Sequence, residues 1–475
     1  MFPTTAPDIV LTGHVEPDQA RIYAHLPFQV PPGIGQLHLR YGYGDRIDSD
    51  PMLAGGNTLD LGLFDERGIE AGGPGFRGWS GSAKDELTIA ANWATPPYRA
   101  DAIGPGTWHV LLGPYKVGPR GLDYRVEIWL DQESASPLPT ASPPPIRREH
   151  GPSPQPGPMH PTEPAARALP PPAEPGWRRC DLHCHTRYSD GDSWPAEMRA
   201  AAAAAGLDVL GITDHNSSHV GPFAPDGQRP FLVHGVEVTA YGGHWNVWGT
   251  GHWHEFRQPD RAAVAAAMGA AVAAGGVVSI NHPKPFGPPW TFGHDLDNHA
   301  VEVWNGPWDQ LNWISLAAWE TQLLAGRRLI AIGGSDTHRL GPEDPAAFPA
   351  LPRPRLGEPT TWLHVPGEIS VAAILDALRQ GRCFISRSPV GPELYVTLND
   401  GVLSARIVGA AGAVMMVIAG GTPIAAAPIP TADWSTVAPL PASWRYARVQ
   451  VMDQYGNMLA LSNAVWSTMP AVLGD

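Results

Sequence analysis

Residues 181–193 read DLHCHTRYSDGDS, and this stretch decides how the chain is interpreted. His183 and His185 stand two apart with Cys184 between them, and Ser189, Asp190 and Asp192 follow closely. DLHCH reads as a short strand. Residues i and i+2 of a strand point to the same side, so the two imidazoles can grip one ion while Cys184 turns away. The same spacing returns in SDTH, where Asp336 and His338 stand two apart.

Moving outward, short apolar runs alternate with helical patterns. VLGITDH, FLVHGVEVTA, VVSINHP, VEVWNG and LIAIGGSDTH read as strands. SWPAEMRAAAAAAGLD reads as a helix with Ser193 as cap and Pro195 in its first turn. DRAAVAAAMGAAVAAGG reads as a helix closed by Gly275 and Gly276, and ISLAAWETQLLAGRR as another. SVAAILDALRQG adds a late helix capped by Ser370 and stopped by Gly381. Such alternation predicts parallel βα units. Twelve of the 19 histidines lie between His183 and His338, and the polar residues fall at strand ends. These are His183 with His185, Asp214 with His215, Glu237, His282, and Asp336 with His338. In a βα barrel the C-terminal strand ends surround one cavity, so these residues would converge. Each fragment alone has an ordinary structural explanation; together and in order they predict a metal centre. Mixed imidazole and carboxylate donors suit Zn, Mn, Fe, Co or Ni better than Ca or Mg.

DLHCHTRYSDG, GITDHN, GVEV, INHPKP and GGSDTH resemble the polymerase and histidinol phosphatase (PHP) domain superfamily. EVTAYGGHWNVWG and ISVAAILDALRQGRCFIS are similar to its carbaryl-hydrolase (CehA/McbA-like) branch. The resemblance covers residues 177–388. It implies a distorted (βα)7 barrel with two or three divalent transition metal ions, Mn, Zn or Fe. It assigns His183, His185, Glu237 and Asp336 to a first metal. Glu237 would bridge to a second, held also by His244 and His282. Asp190, His215 and His338 would hold a third, with Asp192 facing solvent or capping a loop. His252 and His254, in GTGHWHEF, compete with His244 for its role. His234 is expected in the core, and His219, His294 and His299 in loops.

A metal cluster activates water for hydrolysis, and Asp336 could accept the proton. The resemblance favours phosphate esters. Lys284, Arg187 and Arg339 lie within a few residues of a ligand and are the candidate cations for a phosphate, Lys284 first. Eight of the 18 tryptophans fall between Trp245 and Trp319. Trp245, Trp248, Trp290, Trp304 and Trp308 either fill the barrel wall or build an aryl pocket suited to an aryl carbamate or carboxyl ester. A metal-dependent phosphoesterase, a metal-dependent carbamate or ester hydrolase and a non-catalytic binding protein are the readings in play. The full ligand set argues against the last.

The remaining sequence supplies the frame. At roughly 100–200 residues per domain, 475 residues suggest two to four domains. Residues 1–132 are expected to form an all-β sandwich or jelly roll, from alternating stretches such as GQLHLRYGYG and DYRVEIWL. Residues 133–176 read as a proline-rich linker or strap, with 15 of the 53 prolines between 137 and 175. Residues 177–388 form the expected barrel and 389–475 a small C-terminal β-sandwich. The net charge of −14 argues against nucleic-acid or membrane-surface binding and leaves a small-molecule ester as the expected partner. Three cysteines make no disulfide framework, and the sequence shows no signal peptide or apolar span, so the cytoplasm is the expected location.

Overall fold

The computed structural model describes residues 3–49, 53–132, 169–217, 227–285, 287–341, 352–441 and 443–467. Most of the proline-rich stretch (133–168) and His219 lie outside the described residues.

The first eight strands are β1 (Ile9–Val15), β2 (Ala24–Val30), β3 (Gln36–Tyr43), β4 (Thr58–Phe64), β5 (Phe76–Gly81), β6 (Glu86–Ala90), β7 (Gly106–Lys116) and β8 (Leu122–Asp131). They form two antiparallel sheets, β1-β8-β3-β6 and β2-β7-β4-β5. These interleaved orders are those of a jelly roll. The sheets enclose a core of Leu37, Leu39, Leu59, Leu61, Trp108, Val126 and Ile128. Burying each such side chain contributes roughly 1.5–3 kcal/mol.

The central region contains β9 (Trp177–Asp181), α1 (Pro195–Ala205), β10 (Val209–Ile212), β11 (Phe231–Ala240), β12 (Gly243–Trp248), α2 (Arg261–Ala273), β13 (Val277–Ile280), β14 (Ala300–Asn305), α3 (Asn312–Leu324) and β15 (Ile330–Gly334). The seven strands pair in chain order. β9, β10 and β11 are parallel, as are β13, β14 and β15. β10, β13 and β15 are buried along their whole length, which suits strands covered on both faces.

The distorted (βα)7 barrel expected from the sequence is not shown. β12 is antiparallel to both neighbours. The reason is local: Ala240 pairs with Gly243, so Tyr241 and Gly242 make a tight hairpin where a crossover helix would stand. Gly243 has φ 143°, and a Cβ there would meet Trp290 at 2.5 Å, so only glycine fits. Three helices, α1, α2 and α3, serve the seven strands among the described residues. Among the described residues no strand ladder closes the sheet. The chain just beyond the strand ends does meet: Cys184 and Thr337 form an isolated parallel bridge. There Asp336 N donates to His183 O at 2.8 Å and His185 N to Thr337 O at 3.0 Å.

On the other edge of β9 the sheet continues through β16 (Thr360–His364), antiparallel to β9. Next come α4 (Val371–Arg379) and β17 (Cys383–Ser386). The remaining strands are β18 (Glu393–Asn399), β19 (Val402–Val408), β20 (Val414–Ala419), β21 (Thr422–Pro428), β22 (Asp433–Pro439), β23 (Tyr446–Met452), β24 (Met458–Ser462) and β25 (Val465–Trp466). β17 pairs with β24, so one sheet runs from the central region into the C-terminal sandwich, across the expected boundary at 388–389. A second sheet, β18-β19-β22, completes that sandwich over Leu394, Ile407, Val417 and Val449.

The caps explain the helix limits. Ser370 Oγ accepts from Ala373 N at 3.2 Å to start α4, and Asp260 Oδ1 accepts from Ala263 N at 2.9 Å to start α2. At α1 the cap is Trp194 rather than Ser193. Trp194 N donates to Glu197 Oε2 at 2.6 Å, and Ser193 Oγ donates to Asp192 Oδ1. All three cysteines are buried and unpaired. No helix among the described residues is long and apolar enough to cross a membrane.

Candidate metal centre

Glu237 lies within β11 and His244 within β12, Asp190 lies on the loop between β9 and α1, and the other candidate ligands stand just past strand ends. His183 and His185 follow β9, His215 follows β10, His282 follows β13, and Asp336 and His338 follow β15. Three residues here have left-handed backbone: Asn216 (φ 44°), His282 (φ 28°) and Asp336 (φ 56°). Such conformations cost about 1–3 kcal/mol each and persist only where surroundings hold them. Asn216 is held by its own side chain, whose Oδ1 accepts from Thr239 N at 2.7 Å, and by Asn216 N donating to Glu237 O.

Glu237 is the centre of the cluster and is 1% exposed. Its Oε1 lies 3.4 Å from His183 Nε2, 3.3 Å from His244 Nδ1 and 3.2 Å from His282 Nε2. Its Oε2 lies 3.3 Å from His185 Nε2 and 3.0 Å from His215 Nδ1. Asp336 Oδ1 faces His185 Nε2 at 3.0 Å, His183 Nε2 at 3.4 Å and His338 Nδ1 at 3.6 Å. Asp190 Oδ1 faces His338 Nε2 at 3.4 Å and His215 Nε2 at 3.7 Å. The donor atoms gather in three groups: His183, His185, Glu237 and Asp336; His185, Asp190, His215 and His338; and His215, Glu237 and His244. His282 joins through Glu237.

These residues fit metal ions. Glu237 Oε2, Asp336 Oδ1, His185 Nδ1, His244 Nδ1 and His282 Nδ1 are buried and make no hydrogen bond. Leaving one such atom unsatisfied costs about 1–3 kcal/mol, and Glu237 Oε2, Asp336 Oδ1 and His244 Nδ1 all face other ligands, so these three in one place require a partner of another kind. Imidazole nitrogens and carboxylate oxygens are a suitable donor set for Mn, Zn or Fe.

The electrostatics follow from packing. Burial lowers the pKa of His183, but Glu302, Asp336 and Glu237 outweigh it and hold it well above the usual value. Burial is likewise outweighed at His185, which Asp336 and Glu237 push up to about 10. At His244 burial wins: Glu237 alone opposes it, His282 and His215 reinforce it, and the pKa falls to about 4. Burial would raise Glu237, Asp336 and Asp190, yet the surrounding histidines hold all three below the ordinary carboxylate range.

Supporting residues outside the motifs orient the cluster. Glu302 in β14 pairs with His183 Nδ1 at 2.8 Å and accepts from His282 N at 3.1 Å and Asn305 Nδ2 at 3.1 Å. This turns His183 Nε2 towards Glu237, as carboxylates do for metal-binding histidines. Asn281 Nδ2 donates to Glu237 Oε1 at 2.8 Å, and Asn305 Nδ2 to Asp336 Oδ2 at 3.2 Å. Glu302 was discoverable in VEVWNG as an acid inside a buried apolar strand. Asp214 serves the loop, accepting from Thr186 N, Thr186 Oγ1 and Ser189 Oγ at 2.7 Å each. Asp192 caps the loop opposite, accepting from Leu340 N and Gly341 N.

Other candidates lie elsewhere. His254 pairs with Thr250 Oγ1 at 2.8 Å and His252 packs on His254, so of these three only His244 reaches Glu237. His234 lies on β11 outside the three groups. His299 Nδ1 accepts from Val278 N, and His294 O accepts from Arg327. Lys284 is buried, donating to Asn305 O at 2.9 Å and Asn312 Oδ1 at 3.0 Å, and burial lowers its pKa to about 8. Arg187 donates to Asp192 O and lies over the Trp194 ring. Of the three predicted cations, Arg339 lines the cavity above the cluster.

That cavity has a volume of about 850 Å³. Trp245 and Trp248 are fully buried in the core, and Trp304 nearly so. Trp290 packs against Phe292 and Trp308 against Trp304. None of the five lines the cavity. Its aromatic lining is Trp79, Tyr115 and Tyr241.

Residues 181–263 match the family model for the PHP domain. The match contains His183, His185, Asp190, His215, Glu237 and His244. No curated protein matches the chain. Among solved structures, the chain is similar to a two-domain protein from Bacteroides vulgatus containing a predicted PHP-like metal-dependent phosphoesterase. The identity is 17% and the TM-score 0.34, over 61% of this chain and 95% of that one. It is also similar to an amidohydrolase from Chromobacterium violaceum solved with sulfate and no metal. There the identity is 18% and the TM-score 0.24, over 37% of this chain and 93% of that one.

Proposed function

We propose that the chain is a metal-dependent hydrolase and, more narrowly, a phosphoesterase. The observation that carries this reading is the pair Glu237 and Asp336, two carboxylates whose buried, unsatisfied oxygens face imidazole nitrogens from several strands. His183, His185, Glu237 and Asp336 would hold one ion, and Glu237, His244 and His282 a second. Asp190, His215 and His338 would hold a third. When bound, such ions supply Lewis acidity and bring water to a pKa of about 7. Glu237 holds the cluster together through both oxygens. Asp336, fixed by Asn305 at one oxygen, is the candidate acceptor of the attacking water's proton. Arg339 supplies cationic charge at the cavity wall for a phosphate. None of the five tryptophans named from the sequence lines the cavity, which removes the support they lent to an aryl carbamate as substrate. The test is turnover of p-nitrophenyl phosphate, bis-p-nitrophenyl phosphate and a naphthyl carbamate by metal-loaded protein. Turnover of a phosphate ester is expected, and turnover of the carbamate alone would overturn the phosphoesterase reading.

A further inference from the structure

The jelly roll forms one wall of the metal cavity. Arg46, Asp60, Trp79, Ser82 and Tyr115 line the same space as His215, Glu237 and His338. Arg46 is already engaged, donating to Asp85 Oδ1 and Ser82 O. Asp60 differs. It lies in the middle of β4, in TLDLGLF, a strand buried along its whole length. It is 6% exposed, between Leu59 and Leu61 of the jelly-roll core. Its Oδ2 accepts from Tyr241 Oη at 2.8 Å. Tyr241, at the tip of the β11–β12 hairpin, is fixed by stacking against Tyr23 at 4.9 Å and Tyr115 at 5.4 Å. Among the described residues nothing donates to Asp60 Oδ1, and the cavity is where Asp60 is open.

Asp60 Oδ1 opens to the cavity, whereas a leucine would suit the rest of this buried strand better. The position therefore calls for a donor arriving through the cavity. An ammonium group is a poor candidate, because it would enter beside the ions held at His215. A hydroxyl carries no net charge and meets no such repulsion. Ser49 and Ser82 give the same wall further polar surface.

We infer that Asp60 is a specificity residue of the metal site, supplied by the jelly roll, and that it accepts a hydrogen bond from a hydroxyl on the alcohol part of the substrate. The substrate class is then a phosphate ester of a hydroxylated alcohol; this rests on the phosphoesterase reading above. Two non-hydrolysable probes test it by calorimetry on metal-loaded protein: butylphosphonate and 3,4-dihydroxybutylphosphonate. The dihydroxy probe is expected to bind at least about tenfold more tightly, the scale of one hydrogen bond to a buried charged acceptor. Asp60→Leu should bring the ratio to about one. Asp60→Asn, which keeps an acceptor for Tyr241, should lower it at least about threefold, with metal content and the circular dichroism spectrum held. Equal binding of the two probes by the wild type, or an unchanged ratio in both variants, overturns the assignment alone. If neither probe binds, the phosphoester reading falls and the assignment falls with it. Tighter binding of 2-aminoethylphosphonate than of the diol would replace the hydroxyl by an ammonium and overturn the assignment as stated.

Discussion

On one side of the cavity, His183, His185, His215, His282, Asp336 and His338 leave the ends of strands in chain order. On the other side, Asp60 and Arg46 come from the jelly roll, more than a hundred residues earlier in the chain. The first side consists of groups that satisfy one another poorly and need ions. The second contains a carboxylate half-satisfied by a tyrosine. The first side is built to hold a reagent common to many hydrolases, while the second is placed to read what that reagent acts on. Changes on the metal side should therefore act on all substrates alike, and changes on the jelly-roll side should act selectively.

The largest expected effect lies at the centre of the metal side. Glu237→Gln removes the one anion facing five histidines, and should cut turnover of every substrate by at least about 100-fold while lowering metal content. Circular dichroism should show an intact fold. Near-wild-type turnover with full metal content would remove Glu237 from its bridging place. Glu302→Gln should weaken metal binding by about tenfold or more, because His183 loses the charged partner that orients it. Chelator competition measures this, and unchanged affinity would reduce Glu302 to a packing residue.

The second side has its own signature in pH. Burial raises the Asp60 pKa from 3.8 to about 7, against the opposing effects of the Tyr241 hydroxyl and the charge of His215. A carboxyl with a raised folded pKa favours the folded state when protonated. That contribution is complete below about pH 3.8 and is lost as pH rises to about 7. Between pH 5 and 8, metal-stripped wild type should lose melting temperature relative to Asp60→Asn, by about 2–4 °C for each kcal/mol. Parallel melting curves for the two proteins across that range would place an ionised Asp60 in the folded state throughout.

The two sides were also unequally legible in the sequence. His-x-His and Asp-x-His flag the site by their spacing, although β9 ends at Asp181 and β15 at Gly334, so the pairs stand past the strands and Asp336 takes a left-handed backbone rather than a strand's two-residue repeat. Glu302 carries no such pattern; its partner His183 is distant in the chain and becomes a neighbour only when β14 and β15 pair and the segment after β15 meets the one after β9. β12 went unread because a two-residue Tyr241-Gly242 hairpin turns the strand back inside what looked like a βα unit. Lys284 stood next to a ligand in sequence, yet its side chain runs to Asn305 and Asn312. Asp60 looked like any acid in a strand, since its role depends on a contact between regions that no local pattern encodes.

The smallest effect joins the two sides. Lys84, in the turn between β5 and β6 of the jelly roll, donates to Ser189 O at 3.3 Å. Ser189 immediately precedes Asp190, whose carboxylate acts on the Lys84 charge. The jelly roll thus touches the ligand loop as well as the substrate space. The contact is long for an N–H···O bond, so its direct contribution is under about 1 kcal/mol. The loop has stronger anchors, with Ser189 Oγ on Asp214 and Asp192 on Leu340 N and Gly341 N. Lys84→Met should therefore weaken only the most loosely held ion, by about two- to fivefold, and leave the others unchanged. Stepwise chelator titration resolves the steps. No change at any step would confine the jelly roll to the substrate side. A loss as large as that of Glu302→Gln would mean that the Asp190 loop is held chiefly from the jelly roll, and the division between a metal side and a substrate side would no longer hold.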